Sequence, residues 1–216
     1  METATPVKRR VPRPRADALR NRERIVAAAV EMFVEFGQEV PFDEIARRAG
    51  VGNATVYRNF PDREALTREV VCSVMDRMSE RIETALAEDG DAFEALSRFV
   101  HASAEDRIGA LCPMLSESFD KNHPDLLAAR DRATERTEEL MERARAAGQL
   151  RPDVEFGDLM TALTQLTRPL PGTACQGMDR FVHRHLQLFL DGLRAPARSV
   201  LPGVAASVEE LRRAVS

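Results

Sequence analysis

The sequence lacks the features that mark membrane, secreted and zinc-binding proteins. No apolar run approaches the roughly 18–20 residues of a membrane-spanning helix, and the first residues contain no apolar stretch of the kind found in secretory signals. The three cysteines, Cys72, Cys112 and Cys175, are odd in number and widely spaced. They predict reduced thiols and argue against zinc, whose ligands come in close pairs. We therefore expect a cytoplasmic protein without a bound metal ion or a membrane partner.

The patterns of a catalytic site are missing as well. The chain has no glycine-rich loop for a phosphate, no serine or cysteine nucleophile in a recognisable setting and no cluster of residues with metal-ligand spacing. His183 and His185 would diverge on a helix, so they make a poor metal pair. We expect neither an enzyme nor a cofactor.

Strand patterns are absent, whereas apolar residues recur at helical spacing along most of the chain. Asp62 is a good N-cap for a long helix, whose apolar face continues to the break at Asp89-Gly90. The 216 residues, 44% of them hydrophobic, are enough to bury a sizeable core. We predict an all-α protein with a small N-terminal head, a larger helical body and a long helix that joins them.

The charges are distributed unevenly. The net charge of −4 by itself argues against nucleic acid, but Met1 to Arg24 carry eight basic and three acidic residues, whereas the chain from Thr67 onward is acidic. Prolines among the arginines of residues 1–16 predict a disordered arm, which would bind phosphates or an adjacent minor groove. A basic end on an acidic body suits a protein that meets DNA at one end. A solvated tail without a partner is the alternative.

Residues 42–60 have the pattern of two short helices joined by a tight turn. Ala46 is small enough for the helices to touch, and Gly50 tolerates the positive φ that the turn needs. Val56 and Phe60 lie one turn apart and face inward. The outward face of the second helix, suited to a major groove, then carries Asn53, Ala54, Tyr57 and Arg58. The spacing alone would also fit a tight corner in any helical protein.

The whole stretch resembles the DNA-binding head of the tetracycline-repressor (TetR) family. The resemblance covers about residues 20–70 and is carried by Ile45-Ala46, Ala49-Gly50-Val51, Thr55-Val56-Tyr57, Phe60 and Arg63-Glu64-Ala65-Leu66. It implies a homodimeric repressor that is usually controlled by a small ligand in its C-terminal body. It also implies phosphate contacts from Thr55, Tyr57 and Arg63, and base contacts from Asn53, Ala54 and Arg58.

Three positions depart from the family pattern. Pro41 stands where the family often has Thr, Gly52 where it often has Ser, and Asn59 where it often has His or Tyr, which affects individual contacts rather than the module. Arg47 is expected either to touch the DNA backbone or to lie in solvent.

The body offers weaker signals. The apolar helices at about 155–168 and 176–192 are predicted to form a homodimer interface, with an entirely intramolecular core as the alternative. Apolar pockets with a few polar groups bind small molecules. The residues predicted to bind such a ligand are Met75, Met78, Phe99, His101, Met114, Met160, Thr164, Gln165 and Arg168. Each of these residues is also explained as ordinary core or surface.

Together these features predict a ligand-responsive repressor that binds a palindromic operator in double-stranded DNA as a dimer. A ligand-free interaction or architectural module with the same head, and an activator, are the alternatives. The predicted organisation is a disordered basic arm over 1–16, a helix-turn-helix domain over 17–61, a helical regulatory and dimerisation domain over 62–195 that begins with a connecting helix at 62–88, and a tail over 196–216 with a short helix.

Overall fold

The computed structural model describes residues 14–106, 109, 120–168 and 181–215. Within these ranges the regular secondary structure is helical, apart from one isolated bridge between Leu150 and Arg194, which confirms the all-α prediction. The helices are α1 (Pro14–Phe36), α2 (Phe42–Ala49), α3 (Asn53–Asn59), α4 (Arg63–Ala87), α5 (Ala92–Glu105), α6 (Pro124–Ala146), α7 (Phe156–Leu166), α8 (Val182–Leu193) and α9 (Val208–Val215).

Some predicted features lie outside the described residues. They are the first thirteen residues of the basic arm, the predicted ligand-binding residue Met114, and positions 176–180 of the second predicted dimer helix. None of the helices in the described ranges combines the length and apolar character that crossing a bilayer requires.

The predicted boundary between the arm and the first helix was wrong. Helix α1 begins at Pro14, so residues 14–16 are helical and do not belong to a disordered arm. The prediction of a disordered arm rests on prolines that exclude a helix throughout residues 1–16. A proline is nevertheless accepted in the first turn of a helix, where its missing N–H would have had no partner and its fixed φ suits the helix.

Helix α4 links the head to the body through one continuous apolar face. Asp62 caps its first turn by accepting a hydrogen bond from the Ala65 backbone N–H at 2.8 Å. The face that follows is buried along most of the helix, at Leu66, Val70, Val74, Met78 and Ile82. The head residues Ile25, Ile45 and Phe60 and the body residues Phe93 and Leu140 belong to the same core. The head and body therefore share α4 as a common structural member.

The C-terminal end of α4 is held by an arginine from α6. The Arg143 guanidinium donates to the carbonyl oxygens of Leu86 at 2.8 Å and Glu88 at 2.7 Å. The last carbonyl groups of a helix have no partner within the helix, so a cation placed there satisfies them and also interacts favourably with the helix dipole. Arg143 thereby fixes the end of α4 to the body.

Asp91 and Gln149 join the start of α5 to the end of α6. The Asp91 carboxylate accepts from the Glu94 backbone N–H at 2.9 Å and from the Gln149 amide at 2.7 Å. The Gln149 side-chain oxygen accepts from the Phe93 backbone N–H at 3.0 Å, and its backbone oxygen accepts from Ala195 N–H at 2.8 Å. The end of α8 is thus tied to the same junction.

Acid should destabilise the fold partly through Asp91. The hydrogen bond from the Glu94 backbone N–H, supported by the Gln149 side chain, lowers the pKa of Asp91 below its ordinary value. Such a carboxyl group stabilises the fold above its unfolded pKa of about 3.9, and that contribution is lost as the pH falls through the folded pKa. In urea denaturation we expect Asp91→Asn to be less stable than the parent near pH 7 and to lose less further stability below about pH 4.

The nearby exposed Asp89 provides the matched control. Asp89→Asn removes one carboxylate from a neighbouring exposed position and shows the effect of losing a negative charge alone. If the free energy of unfolding of the parent and of Asp91→Asn changed with pH in parallel, Asp91 would not contribute to the acid destabilisation.

Candidate nucleic-acid interface

The turn between α2 and α3 has the geometry that its sequence predicts. Gly50 adopts a left-handed conformation with φ +63° and ψ +38°. Its N–H donates to Arg47 O at 3.2 Å, and the N–H of Val51 donates to Ala46 O at 3.0 Å, which satisfies the last carbonyl groups of α2. Ala46 is 3% exposed. The roles predicted for Ala46 and Gly50 in building the helix-turn-helix are confirmed.

Helix α3 presents the predicted face to solvent. Val56 and Phe60 are buried, at 0% and 1% exposure, and hold the helix against the core. Thr55 is half-buried, and the exposed residues are Asn53, Ala54, Tyr57 and Arg58. The predicted division of faces is therefore confirmed.

Tyr57 is exposed but held in position. Its ring packs on Phe42 with a centroid distance of 5.2 Å and an interplanar angle of 51°, while 54% of the residue remains exposed. The Arg63 guanidinium lies 5.3 Å from the centroid of the same Phe42 ring. An open cavity of about 450 Å³ separates these groups and is lined by Pro41, Phe42, Asp43, Tyr57, Pro61, Asp62 and Arg63. Tyr57 and Arg63 therefore both pack on the Phe42 ring and line the same cavity.

Arg63 is half-buried and holds the loop before α2. Its guanidinium donates to Val40 O at 2.8 Å and also to Gln38 O. The side chain predicted to contact phosphate thus already uses two of its five donors within the head. Pro41, the N-cap of α2, makes no side-chain capping hydrogen bond, as expected for a position where a hydroxyl is replaced.

The remaining polar candidates differ in whether their side chains already bond to other residues of the chain. Asn53 donates to the Asp43 carboxylate, and Arg47 pairs with Glu44 one turn earlier on α2. Arg58 is exposed, and we find no hydrogen bond or ion pair from it to the described part of the chain. Among the predicted base-reading residues, Arg58 therefore offers the least constrained set of donors.

A junction that sequence analysis missed connects α1, α3 and α4. Arg22 donates to the Glu69 carboxylate at 2.7 and 3.0 Å and to Asn59 O at 3.2 Å, and its guanidinium lies 4.5 Å from the centroid of the Phe60 ring. No pattern in the sequence indicates this role, because Arg22 stands among other basic residues near the N-terminus. The junction fixes the end of α3 to the second turn of α4.

The predicted ligand-binding residues differ in their burial. Met78 and Phe99 are buried core residues, whereas Met75, Met160 and Thr164 are half-buried and Gln165 and Arg168 are exposed. Two open cavities lined by described residues, of about 450 and 480 Å³, include none of them. Met114 lies outside the described residues.

His101 takes part in a contact between α5 and α8. Its Nδ1 lies 3.0 Å from Nδ1 of His183, and its Nε2 lies 3.3 Å from Oε1 of Gln187. The rings of His101 and His183 are stacked. The described residues contain no group of three or more side chains able to hold a metal ion.

The two predicted dimer helices are only partly used by the core. Much of their apolar surface is buried within the chain, at Leu159, Leu163, Leu186, Leu190 and Leu193. Half-buried apolar side chains remain at Phe156, Met160, Leu166, Phe181, Val182 and Phe189. Leu188, which sequence analysis did not single out, is 60% exposed. In the sequence, His185 and Gly192 lie one helical turn on either side of Leu188, and neither has a large apolar side chain. This spacing is the signal that indicates an outward face.

Comparison with known proteins agrees with this geometry. The family model for bacterial regulatory proteins of the tetR family matches residues 25–70, and the model for the C-terminal domain of SbtR-like transcriptional regulators matches residues 90–195. The TetR transcriptional regulator SCO0520 from Streptomyces coelicolor is 31% identical, over 82% of this chain and 99% of that one, with a TM-score of 0.63. The TetR transcription regulatory protein from Mycobacterium vanbaalenii is 33% identical, over 84% and 99%, with a TM-score of 0.62. The chain belongs to the TetR family.

Curated relatives of this TetR-family chain match over a shorter range. The uncharacterized HTH-type transcriptional regulator Rv2250c of Mycobacterium tuberculosis is 39% identical over 83 residues, which cover 38% of this chain and 42% of that protein. TetR-family membership makes this protein a DNA-binding transcriptional regulator with a helix-turn-helix, and it indicates a regulatory rather than a catalytic role.

The left-handed turn makes Gly50 a sharp test of the head. Gly50→Ala should lower the free energy of unfolding by about 1–2 kcal/mol, because a Cβ is disfavoured at positive φ. Gly50→Asn should cost less, because asparagine tolerates this conformation. Thermal and urea unfolding of the two variants make the comparison. Equal stability of Gly50→Ala and the parent would count against the assigned turn.

Proposed function

We propose that this protein is a ligand-responsive repressor that binds a palindromic operator as a homodimer, with α3 of each subunit in the major groove. The observation that carries the proposal is the exposed strip on α3, with Tyr57 and Arg58 projecting outward while Val56 and Phe60 anchor the helix. A cytoplasmic location follows from operator binding.

The contacts of each side chain suggest a division of labour on DNA. The Arg58 guanidinium makes no hydrogen bond or ion pair to the residues that the structure describes, so its donors can bind a guanine edge or a phosphate. Tyr57 presents its hydroxyl to a phosphate from a ring fixed on Phe42. Arg63 holds the loop that precedes Phe42 and still has N–H donors available for a phosphate.

The other candidate residues would add further contacts to bases and phosphates. Asn53 and Ala54 lie where base edges are read, Thr55 where the phosphate backbone passes, and Arg47 beside it. Asn53 and Arg47 would exchange their contacts with Asp43 and Glu44 for contacts with DNA.

The operator is found by selecting bound fragments from a random DNA pool at physiological salt. We expect a palindromic motif whose half-sites are about 10 base pairs apart or a multiple of that spacing. Selection of no motif by the folded protein would favour an architectural module. Activation rather than repression of a reporter would change the sign of the regulation but not the DNA-binding site.

Variants at Tyr57 and Arg58 test the strip on the selected operator. Arg58→Ala should weaken binding by about 1–3 kcal/mol per half-site if Arg58 reads a base, and should relax selectivity at one position. If Arg58 binds a phosphate, selectivity stays and the salt dependence becomes shallower. Tyr57→Phe retains the ring on Phe42 and removes only the hydroxyl, so it should weaken binding as much as Tyr57→Ala if the hydroxyl carries the contact.

The control for charge is Arg98→Ala, which removes an exposed arginine of α5 that pairs with Glu88. It should bind the operator as the parent does. Unchanged operator binding by both Tyr57→Ala and Arg58→Ala would refute the assigned DNA-binding face.

Dimerisation is supported by the unused apolar surface of α7 and α8. A stable interface buries roughly 1,200–2,000 Å² in total, and the half-buried Phe156 and Phe189 with the exposed Leu188 would form part of it. Leu188→Asp should raise the dimer dissociation constant in sedimentation experiments, because a charge would be buried without a partner. Retained dimers would move the proposed interface elsewhere.

A ligand would act by changing the relative populations of two arrangements of α4. The head is tied to α4 by Arg22 and Glu69, and the body is tied to its other end by Arg143. A ligand that binds the body and prefers one position of α4 would alter the distance between the α3 helices of the two subunits. Compounds that raise the unfolding temperature should include one that lowers operator affinity. Operator affinity unchanged by every such compound would contradict ligand control.

A further inference from the structure

The C-terminal segment (residues 196–207) folds back onto the body and is anchored first by a buried arginine. Arg151 donates to Ser199 O at 2.8 Å and to Gly192 O at 3.2 Å. Both oxygens of the Asp153 carboxylate accept from the same guanidinium, at 2.6 and 2.8 Å. The Arg151 side chain is only 4% exposed. This arginine therefore bridges α8 and the start of the C-terminal segment.

The second anchor lies on the first turn of α7. The Gly157 N–H donates to Ala206 O at 2.8 Å, and the Ala206 N–H donates to the Asp158 carboxylate at 3.2 Å. A Cβ at Gly157 would lie 2.2 Å from Ala206 O, so only glycine permits this approach. The C-terminal segment is thus fixed at both ends.

Between the anchors the C-terminal segment exposes apolar side chains. Val200 is 94% exposed, Val204 is 92% exposed and Leu201 is 42% exposed. Residues 199–208 contain no charged side chain, in a chain that is 31% charged. The anchors have already ordered the backbone, so covering these side chains would gain apolar burial at a small additional entropic cost.

We propose that the C-terminal segment is an extension of the dimer interface and that a second copy of this chain covers Val200 and Val204. The inference rests on the proposed dimer. Each anchor lies next to the apolar surface of α7 and α8 that is proposed to form the dimer. Gly157 follows the half-buried Phe156 on α7, and Gly192 lies one turn after the exposed Leu188 on α8.

The occupant is identified by chemistry and by symmetry. Residues 199–208 bring no basic side chain of their own that would attract DNA phosphates or anionic lipid headgroups. In a two-fold dimer, each subunit contributes the same surface and each C-terminal segment is covered once. The match to the C-terminal family model ends at residue 195, so this extension lies beyond the part of the body that the model describes.

The test is a double substitution in the full-length protein, Val200→Asp with Val204→Asp. Both side chains are almost fully exposed, so folding should be retained, which circular dichroism checks. A dilution series in sedimentation velocity should give a dimer dissociation constant raised by about tenfold or more, because apolar contacts are lost and unpaired charges are buried. The matched control, Leu19→Asp with Phe36→Asp, makes the same change at exposed positions of α1 and should dimerise as the parent does.

A second variant tests the anchor rather than the valines. Gly157→Ala should displace the C-terminal segment and weaken dimerisation, and combining it with the double Asp substitution should add little further loss, since both act on one contact. Full additivity would mean that the anchor and the valines act separately, which overturns the proposal.

The outcomes separate this inference from the proposed function. A dimeric parent with an equally stable double Asp variant overturns the inference alone, and the valines would then serve a different partner. Equal weakening by the control pair also overturns it. A parent that stays monomeric, alone and on operator DNA, overturns the proposed dimer and this inference together.

Discussion

The structure depends above all on the continuous burial of one face of α4. Leu66 at the start of that face and Met78 and Ile82 further along belong to one buried core that includes residues of both the head and the body. A helix whose apolar face is shared by both parts transmits displacement because neither part can move along it without opening a gap in a close-packed core. The polar ties at its ends, from Arg22 and Arg63 in the head and from Arg143 in the body, fix its rotation as well.

The parts of the head that follow from local chemistry could be predicted from the sequence. Gly50 is placed where the backbone turns left-handed, and the separation of Val56 from Phe60 by one helical turn decides which residues of α3 face outward. These are short-range rules, so they require no knowledge of the remaining chain. The start of α1 illustrates their limit, because Pro14 excludes a helix in the interior but suits its first turn.

Features that depend on contacts between distant residues could not be predicted in the same way. Arg63 was expected to face DNA, yet it also holds carbonyl groups of the loop before α2. Arg151 gave no signal as a buried residue, because arginine is rarely buried without the partners that only the fold supplies. The ligand residues were predicted from composition, and composition alone does not separate a cavity lining from an ordinary core.

The packing of Tyr57 has an optical consequence. The chain contains one tyrosine and no tryptophan, so emission excited at wavelengths that phenylalanine does not absorb arises from α3 alone. The ring rests on Phe42 while about half of the residue is open to solvent. Emission intensity and anisotropy therefore report the local surroundings of α3 without an attached dye, and the rest of the molecule contributes no competing tyrosine or tryptophan signal.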